Sequence, residues 1–118
     1  MALTHLESGD IANLSPHGGD AVSTQSVALF KSVQLEVMRL MLPAGRVMPM
    51  HQVPGEITVQ CLEGAIDFET PAGIQRLQTG QLLFLRGGVP HSLLAVEDAS
   101  VLLTIVLVQT SPTEETPT

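Results

Sequence analysis

Four histidines, one cysteine and a small set of charged side chains are all this chain has with which to do chemistry, and two of the histidines stand apart by context. His51 lies in the stretch 45–64, GRVMPMHQVPGEITVQCLEG, and His91 in the stretch 80–95, GQLLFLRGGVPHSLLA, each inside a glycine-bounded apolar strand pair. Imidazole carries protons near neutral pH and is the commonest metal ligand. Two imidazoles that face each other can hold a divalent transition metal (zinc, iron, manganese, nickel or copper) when carboxylates, thioethers or waters complete the shell. Without a metal, the same pair can orient a small acid or a bridging water by hydrogen bonding.

The neighbours of these histidines offer few further ligands. Glu56 precedes Ile57, and strict strand alternation points it away from the face that Ile57 occupies, although a bulge at Pro54-Gly55 would turn it inward as a ligand. Met48 and Met50 would make a soft copper(I) site with His51, but alternation places both opposite it, and methionine commonly fills apolar space or a dimer face. Cys61 shares the parity of Ile57 and faces the same side. No base or cation adjoins it in sequence to draw out a thiolate, so its expected role is structural. Gln60, on the opposite face, is expected to hydrogen-bond at an interface. His5 and His17 fall in a Gly- and Ser-containing lead-in and are assigned no function.

The elements that must position these residues are short apolar runs separated by Gly or Pro turns. Strands are expected at 27–31, 33–42, 57–62, 65–69, 73–77, 81–85, 91–96 and 101–109. That close spacing predicts an all-β sandwich or barrel, and no window sustains helical periodicity long enough for more than minor helix. Glu63-Gly64 and Pro71-Ala72-Gly73 are hairpin turns, and 87–90, GGVP, makes a tight corner before His91. Segments 82–85 and 101–108 are partly apolar on both faces and are expected to be buried twice, against the core and against a neighbour. Residues 1–22 read as a flexible lead-in, 23–110 as one domain, and 111–118, SPTEETPT, as a disordered tail with nothing to bury.

Composition narrows the function. A net charge of −7 with only five fixed cations would repel phosphate backbones, which argues against nucleic acid. With 44% hydrophobic and 14% charged residues, a chain of 118 residues has more apolar surface than it can hide alone, so a homodimer is expected. Three phenylalanines and no Trp or Tyr leave the core to aliphatic side chains and Met. One cysteine allows no internal disulfide. No apolar run is long enough to span a bilayer and the first ten residues are acidic rather than basic, so the expected location is the cytoplasm, with no membrane partner.

The two histidine stretches resemble the paired motifs of the cupin superfamily, GxxxxxHxHxxxExxxxxxG and GxxxxxPxGxxHxxxN. In the first, Gly45, His51 and Gly64 fall in register, with Val53 in the second histidine slot and Ile57 in the glutamate slot. In the second, Gly80, Gly88 and His91 fall in register, with Arg86 in the proline slot and Ala95 in the asparagine slot. The resemblance implies a cupin-type double-stranded β-helix, a jelly-roll barrel. Cupins with three histidines and a glutamate hold a metal and run dioxygenase, isomerase, decarboxylase or oxalate chemistry. Carried over residue by residue, only His51 and His91 remain as ligands here.

The resulting expectation is a barrel pocket that binds a small molecule, with His51 and His91 as its polar groups and Val53, Ile57, Val59, Cys61 and Phe84 as its walls. The alternative is a metal-dependent dioxygenase or isomerase that uses the same two histidines. A metal-free, epimerase-like cupin would need a tyrosine acid, and the chain has no tyrosine.

Overall fold

Period-two burial is the rule that assembles this chain. The computed structural model describes residues 5–14 and 26–108, which form nine strands and no helix. They are β1 (Val27–Lys31), β2 (Leu35–Leu42), β3 (Val47–His51), β4 (Ile57–Glu63), β5 (Ala65–Thr70), β6 (Gly73–Gln78), β7 (Leu82–Leu85), β8 (His91–Ala95) and β9 (Ala99–Val106). A five-stranded antiparallel sheet in the order β1-β2-β9-β4-β7 faces a four-stranded one in the order β3-β8-β5-β6.

All eight expected strands start within two residues of expectation. β2 starts at Leu35 because Ser32 turns the chain, its Oγ accepting the N–H groups of Gln34 and Leu35. β3 was not expected as a strand. Its sequence VMPMH has no β-branched run and carries a proline, but β3 is a sheet edge, where the missing N–H of Pro49 costs no ladder bond. The expected tail lies outside the described residues, as does most of the lead-in. Within residues 5–14, the Leu6 N–H donates to the Leu29 carbonyl at 2.8 Å.

The core is the gap between the sheets. Leu40, Leu42, Ile57, Val59, Cys61 and Val101 come from the larger sheet, and Ile66, Phe68, Leu77, Leu93 and Ala95 from the smaller; all are buried. Each large aliphatic side chain so placed contributes roughly 1.5–3 kcal/mol. Phe68 is the one phenylalanine among them.

The outer faces differ. On the four-stranded sheet, Arg76 Nε and Nη2 donate to the Asp67 carboxylate at 2.8 and 3.1 Å, and the guanidinium holds Asp67 below the usual carboxylate range. On the five-stranded sheet, β7 is an edge, not a doubly buried strand. Its Leu82 and Phe84 are 62% and 56% exposed, because alternation turns only Leu83 and Leu85 inward.

Glu63-Gly64 is not a hairpin turn, because β4 and β5 lie in different sheets; Gly64 carries the chain from one sheet to the other with φ +85°, and a Cβ there would run into the Asp98 carbonyl. Gly45 also has positive φ, +90°, but a Cβ there meets open space. Gly45→Ala should therefore cost only the left-handed strain of about 1 kcal/mol, and Gly64→Ala at least about twice that, measured as denaturant midpoints.

Candidate functional site

A cavity opens between the sheets at the end where β3 meets β8. It is small, with a volume of about 60 Å³. His51 and His91 are directly opposed in the β3–β8 ladder, with ring centres 4.5 Å apart and planes tilted by 58°. His91 is buried and its ring stacks on Phe68 at 5.4 Å, while His51 is exposed at the rim. Apart from Ser92 and the Met48 thioether, the rest of the wall is hydrocarbon, including Val53, Ile57 and Val59.

Both rings are tied down in the same way. His51 Nδ1 lies 3.1 Å from the Pro49 carbonyl, and His91 Nδ1 lies 2.9 Å from the Val89 carbonyl, each two residues earlier in the chain. A carbonyl can only accept, so the proton of each neutral ring is assigned to Nδ1 and the lone pair to Nε2. No described residue bonds to either Nε2. The two rings therefore cannot hydrogen-bond to each other, and each offers an acceptor. Backbone carbonyls commonly orient metal-binding histidines in this fashion.

The structure brings His51, His91, Val53, Ile57 and Val59 together and places the other expected residues elsewhere. Phe84 does not line the cavity, because it pairs with Thr58 on the outward parity of β4. Cys61 has the inward parity of Ile57 but lies deeper in the core, its Sγ 3.5 and 3.4 Å from the Glu63 and Gly64 carbonyls. Glu56 is exposed. The chain bends at Pro54-Gly55 without turning Glu56 inward; its carbonyl accepts the Val106 N–H and Ile57 takes the inward position.

Met48 is the reverse case. Between the pairs Met48↔Leu93 and His51↔His91, β3 advances three residues and β8 two, so β3 carries a bulge. The extra residue cancels the odd spacing, and Met48 lines the cavity with His51 while Met50 is half exposed. Leu40, Phe68, Val101, Leu103 and Ile105 also line it. Their parity was readable in the sequence, but the strand order that aims them at the histidines was not.

The three-histidine, one-glutamate metal set of cupins does not fit these residues. Val53 and Ile57 occupy the other two ligand slots and present hydrocarbon to the cavity. Among the described residues no group of three or more His, Cys, Asp or Glu could hold a metal ion.

Comparison with known proteins shows the fold. No family model matches the chain, and no curated protein matches it in sequence. Solved structures do. A conserved protein of unknown function from Streptococcus pyogenes aligns at TM-score 0.74 and 23% identity, covering 93% of this chain and 100% of its own. A cupin superfamily protein from Desulfitobacterium hafniense aligns at TM-score 0.73 and 11% identity, covering 88% and 95%. An RmlC-like cupin from Desulfovibrio desulfuricans aligns at TM-score 0.64 and 23% identity, covering 90% and 96%. The all-β jelly roll described above is thus a cupin fold. Among the described residues, no helix is long and apolar enough to cross a membrane.

Burial pushes the Cys61 thiol above its ordinary value of 9.0, and the Glu97 carboxylate adds to the shift. The native chain then keeps this proton at a pH where the unfolded chain releases it, so stability is fully present below about pH 9 and declines above it. Denaturant midpoints measured from pH 7 to 10 should show that decline in the wild type and a smaller one in Cys61→Ala. Thiol reagents should label the native protein far more slowly than the unfolded chain.

Proposed function

With the cupin fold as the premise, we propose that this protein binds a small, largely apolar molecule in the cavity between its sheets, with His51 and His91 as the polar anchors. The observation that carries the reading is the pair of carbonyl-anchored rings, which leaves two Nε2 acceptors in a site whose remaining wall is apolar but for Ser92. The ligand must bring the proton, so a hydroxyl or an undissociated acid fits. No lysine or arginine lines the cavity to balance an ionised carboxylate. Apolar contact supplies most of the affinity and the hydrogen bonds fix orientation, each worth about 1 kcal/mol. A divalent transition metal is at most a weakly held second occupant, since two imidazoles alone would retain it. Turnover as a dioxygenase or isomerase is the alternative reading.

The test is a binding series of C4–C8 alcohols and hydroxy acids against the matching hydrocarbons, followed by thermal shift and calorimetry. Hydroxylated members should bind about fivefold or more tightly than their hydrocarbon counterparts, and His51→Gln should erase that difference with the fold intact. Long-range 15N–1H spectra of the free protein should show both rings protonated at Nδ1. Equal binding of alcohol and hydrocarbon, or a proton on His91 Nε2, would sink the proposal.

We also assign a second copy of the chain to the outer face of the five-stranded sheet. By register this face carries Leu35, Val37 and Met41 of β2, Leu102, Thr104 and Val106 of β9, Thr58, Gln60 and Leu62 of β4, and Leu82 and Phe84 of β7. Arg39 shares this face but is buried, its Nε donating to Ser100 Oγ, and the carboxylate that the register adds, Glu63 opposite Ser100, lies at the end of β4, so two copies at −7 each can meet here with few opposing acidic side chains. Gln60, half-buried near the middle, has an amide that would bond across such a contact. Sedimentation should give a dimer for the wild type and a folded monomer for Phe84→Glu; a wild type that stays monomeric at high micromolar concentration refutes the assignment.

A further inference from the structure

We propose that Gly55 and Gly87 are positioning residues for the cavity, stacking three stretches of backbone so that the Val89 carbonyl holds the His91 ring in one orientation. The inference rests on the reading that each ring keeps its proton on Nδ1, and it names what keeps His91 that way.

Six of the eight glycines in the described residues have a left-handed φ, and Gly55 and Gly87 do not. The reason for glycine at these two positions lies in what surrounds them. A Cβ on Gly55 would run into the Val106 carbonyl, and one on Gly87 into the Pro54 carbonyl, with the Pro54 and Gly55 carbonyl carbons only 3.0 and 3.2 Å away. By contrast, a Cβ on Gly45, Gly73, Gly80 or Gly88 meets open space. Hydrogen bonds clamp both close contacts. The Val106 N–H donates to the Glu56 carbonyl at 2.9 Å, and the Gly88 N–H to the Val53 carbonyl at 2.7 Å. The end of β9, the loop 53–56 and the loop 87–89 thus form one stack of backbone, which cannot swing aside as a side chain could.

The stack ends at Val89, whose carbonyl lies 2.9 Å from His91 Nδ1. Phe68 cannot replace that carbonyl. Its ring lies 5.4 Å from the His91 ring and within 13° of parallel, which fixes the plane of the imidazole. A half-turn about χ2 keeps the plane and exchanges the ring edges, so stacking is satisfied either way. The carbonyl distinguishes the two orientations, because it can only accept, and it takes the Nδ1 proton in one of them. Gly87 precedes Val89 by two residues, so a methyl group there must push the 87–89 backbone off Pro54 and carry the Val89 carbonyl with it. The Pro49 carbonyl that anchors His51 lies before the stack, within β3, and is spared. Glycine kept for loop flexibility would explain neither the two carbonyl contacts nor the bonds that clamp them.

The experiment compares the wild type, Gly87→Ala and Gly80→Ala as full untagged chains by long-range 15N–1H spectra at about pH 8, where free imidazole is neutral. Gly80 has a left-handed φ and open space, so Gly80→Ala adds strain without a collision. A hydrogen bond to a carbonyl is worth about a fivefold change in an equilibrium. The Nδ1-to-Nε2 proton ratio of His91 should fall by about that factor in Gly87→Ala, while His91 in Gly80→Ala and His51 in both variants keep the wild-type value. Preference for 1-pentanol over pentane should shrink about as much in Gly87→Ala. If Gly87→Ala does not fold, hydrogen exchange in the wild type decides, since the Gly88 and Val106 amides belong to one stack and their protection should agree within about tenfold. An unmoved His91 ratio in Gly87→Ala, an undiminished alcohol preference, or wider disagreement between the two amides overturns the inference. With both wild-type rings protonated at Nδ1, the unmoved ratio removes this inference alone and leaves the small-molecule reading; a wild-type proton on His91 Nε2 removes both.

Discussion

The inner faces of two antiparallel sheets must close on each other with aliphatic side chains and one phenylalanine, and the rest of the molecule follows from that closure. β4 and β9 lie side by side in the larger sheet and supply Ile57, Val59, Cys61 and Val101; β5 and β8 answer from the smaller with Ile66, Phe68, Leu93 and Ala95. These side chains fill the middle of the gap. Towards β3 the filling runs short, and two histidines occupy the rim. The cavity is therefore the unfilled end of the core, which is why its wall is hydrocarbon and its polar groups are so few.

A wall of that kind changes what histidine can do. In water, an imidazole exchanges protons and partners freely. Here Phe68 stacks on His91, and the Val89 and Pro49 carbonyls take the Nδ1 protons, so each ring presents a lone pair in one fixed direction. Tethering of this sort is preorganisation: the cost of orienting the acceptors is met on folding. Hydrocarbon stands in the slots of a second histidine and a glutamate, so no carboxylate lines the site.

The outer faces divide the other tasks of the surface. Asp67 and Arg76 pair on the smaller sheet, while the larger shows Leu, Val and Phe with Thr and Gln between them. The two sides of the sandwich thus differ, one showing an exposed ion pair and the other mostly uncharged side chains with Arg39 buried.

Much of this was legible in the sequence because its signals are local. Alternation in 57–61, ITVQC, and the β-branched run of β9 specify strands, Gly64 a turn, and the spacing of Gly45, His51, Gly64, Gly80, Gly88 and His91 a cupin barrel, since each depends on a few consecutive residues. What escaped depends on partners distant in sequence. β3 is a strand because β8 lies beside it, and its bulge, which carries Met48 across to the histidine side, exists only as a mismatch between two strands. Phe84 and Cys61 have parities that the sequence shows, but whether a position meets cavity, core or solvent is set by the edge place of β7 and the depth of β4 in the gap. The sequence by itself determined which residues alternate and where the chain turns; the tertiary structure decided which alternating faces meet, because sheet order and register are properties of pairs of strands and not of any one of them.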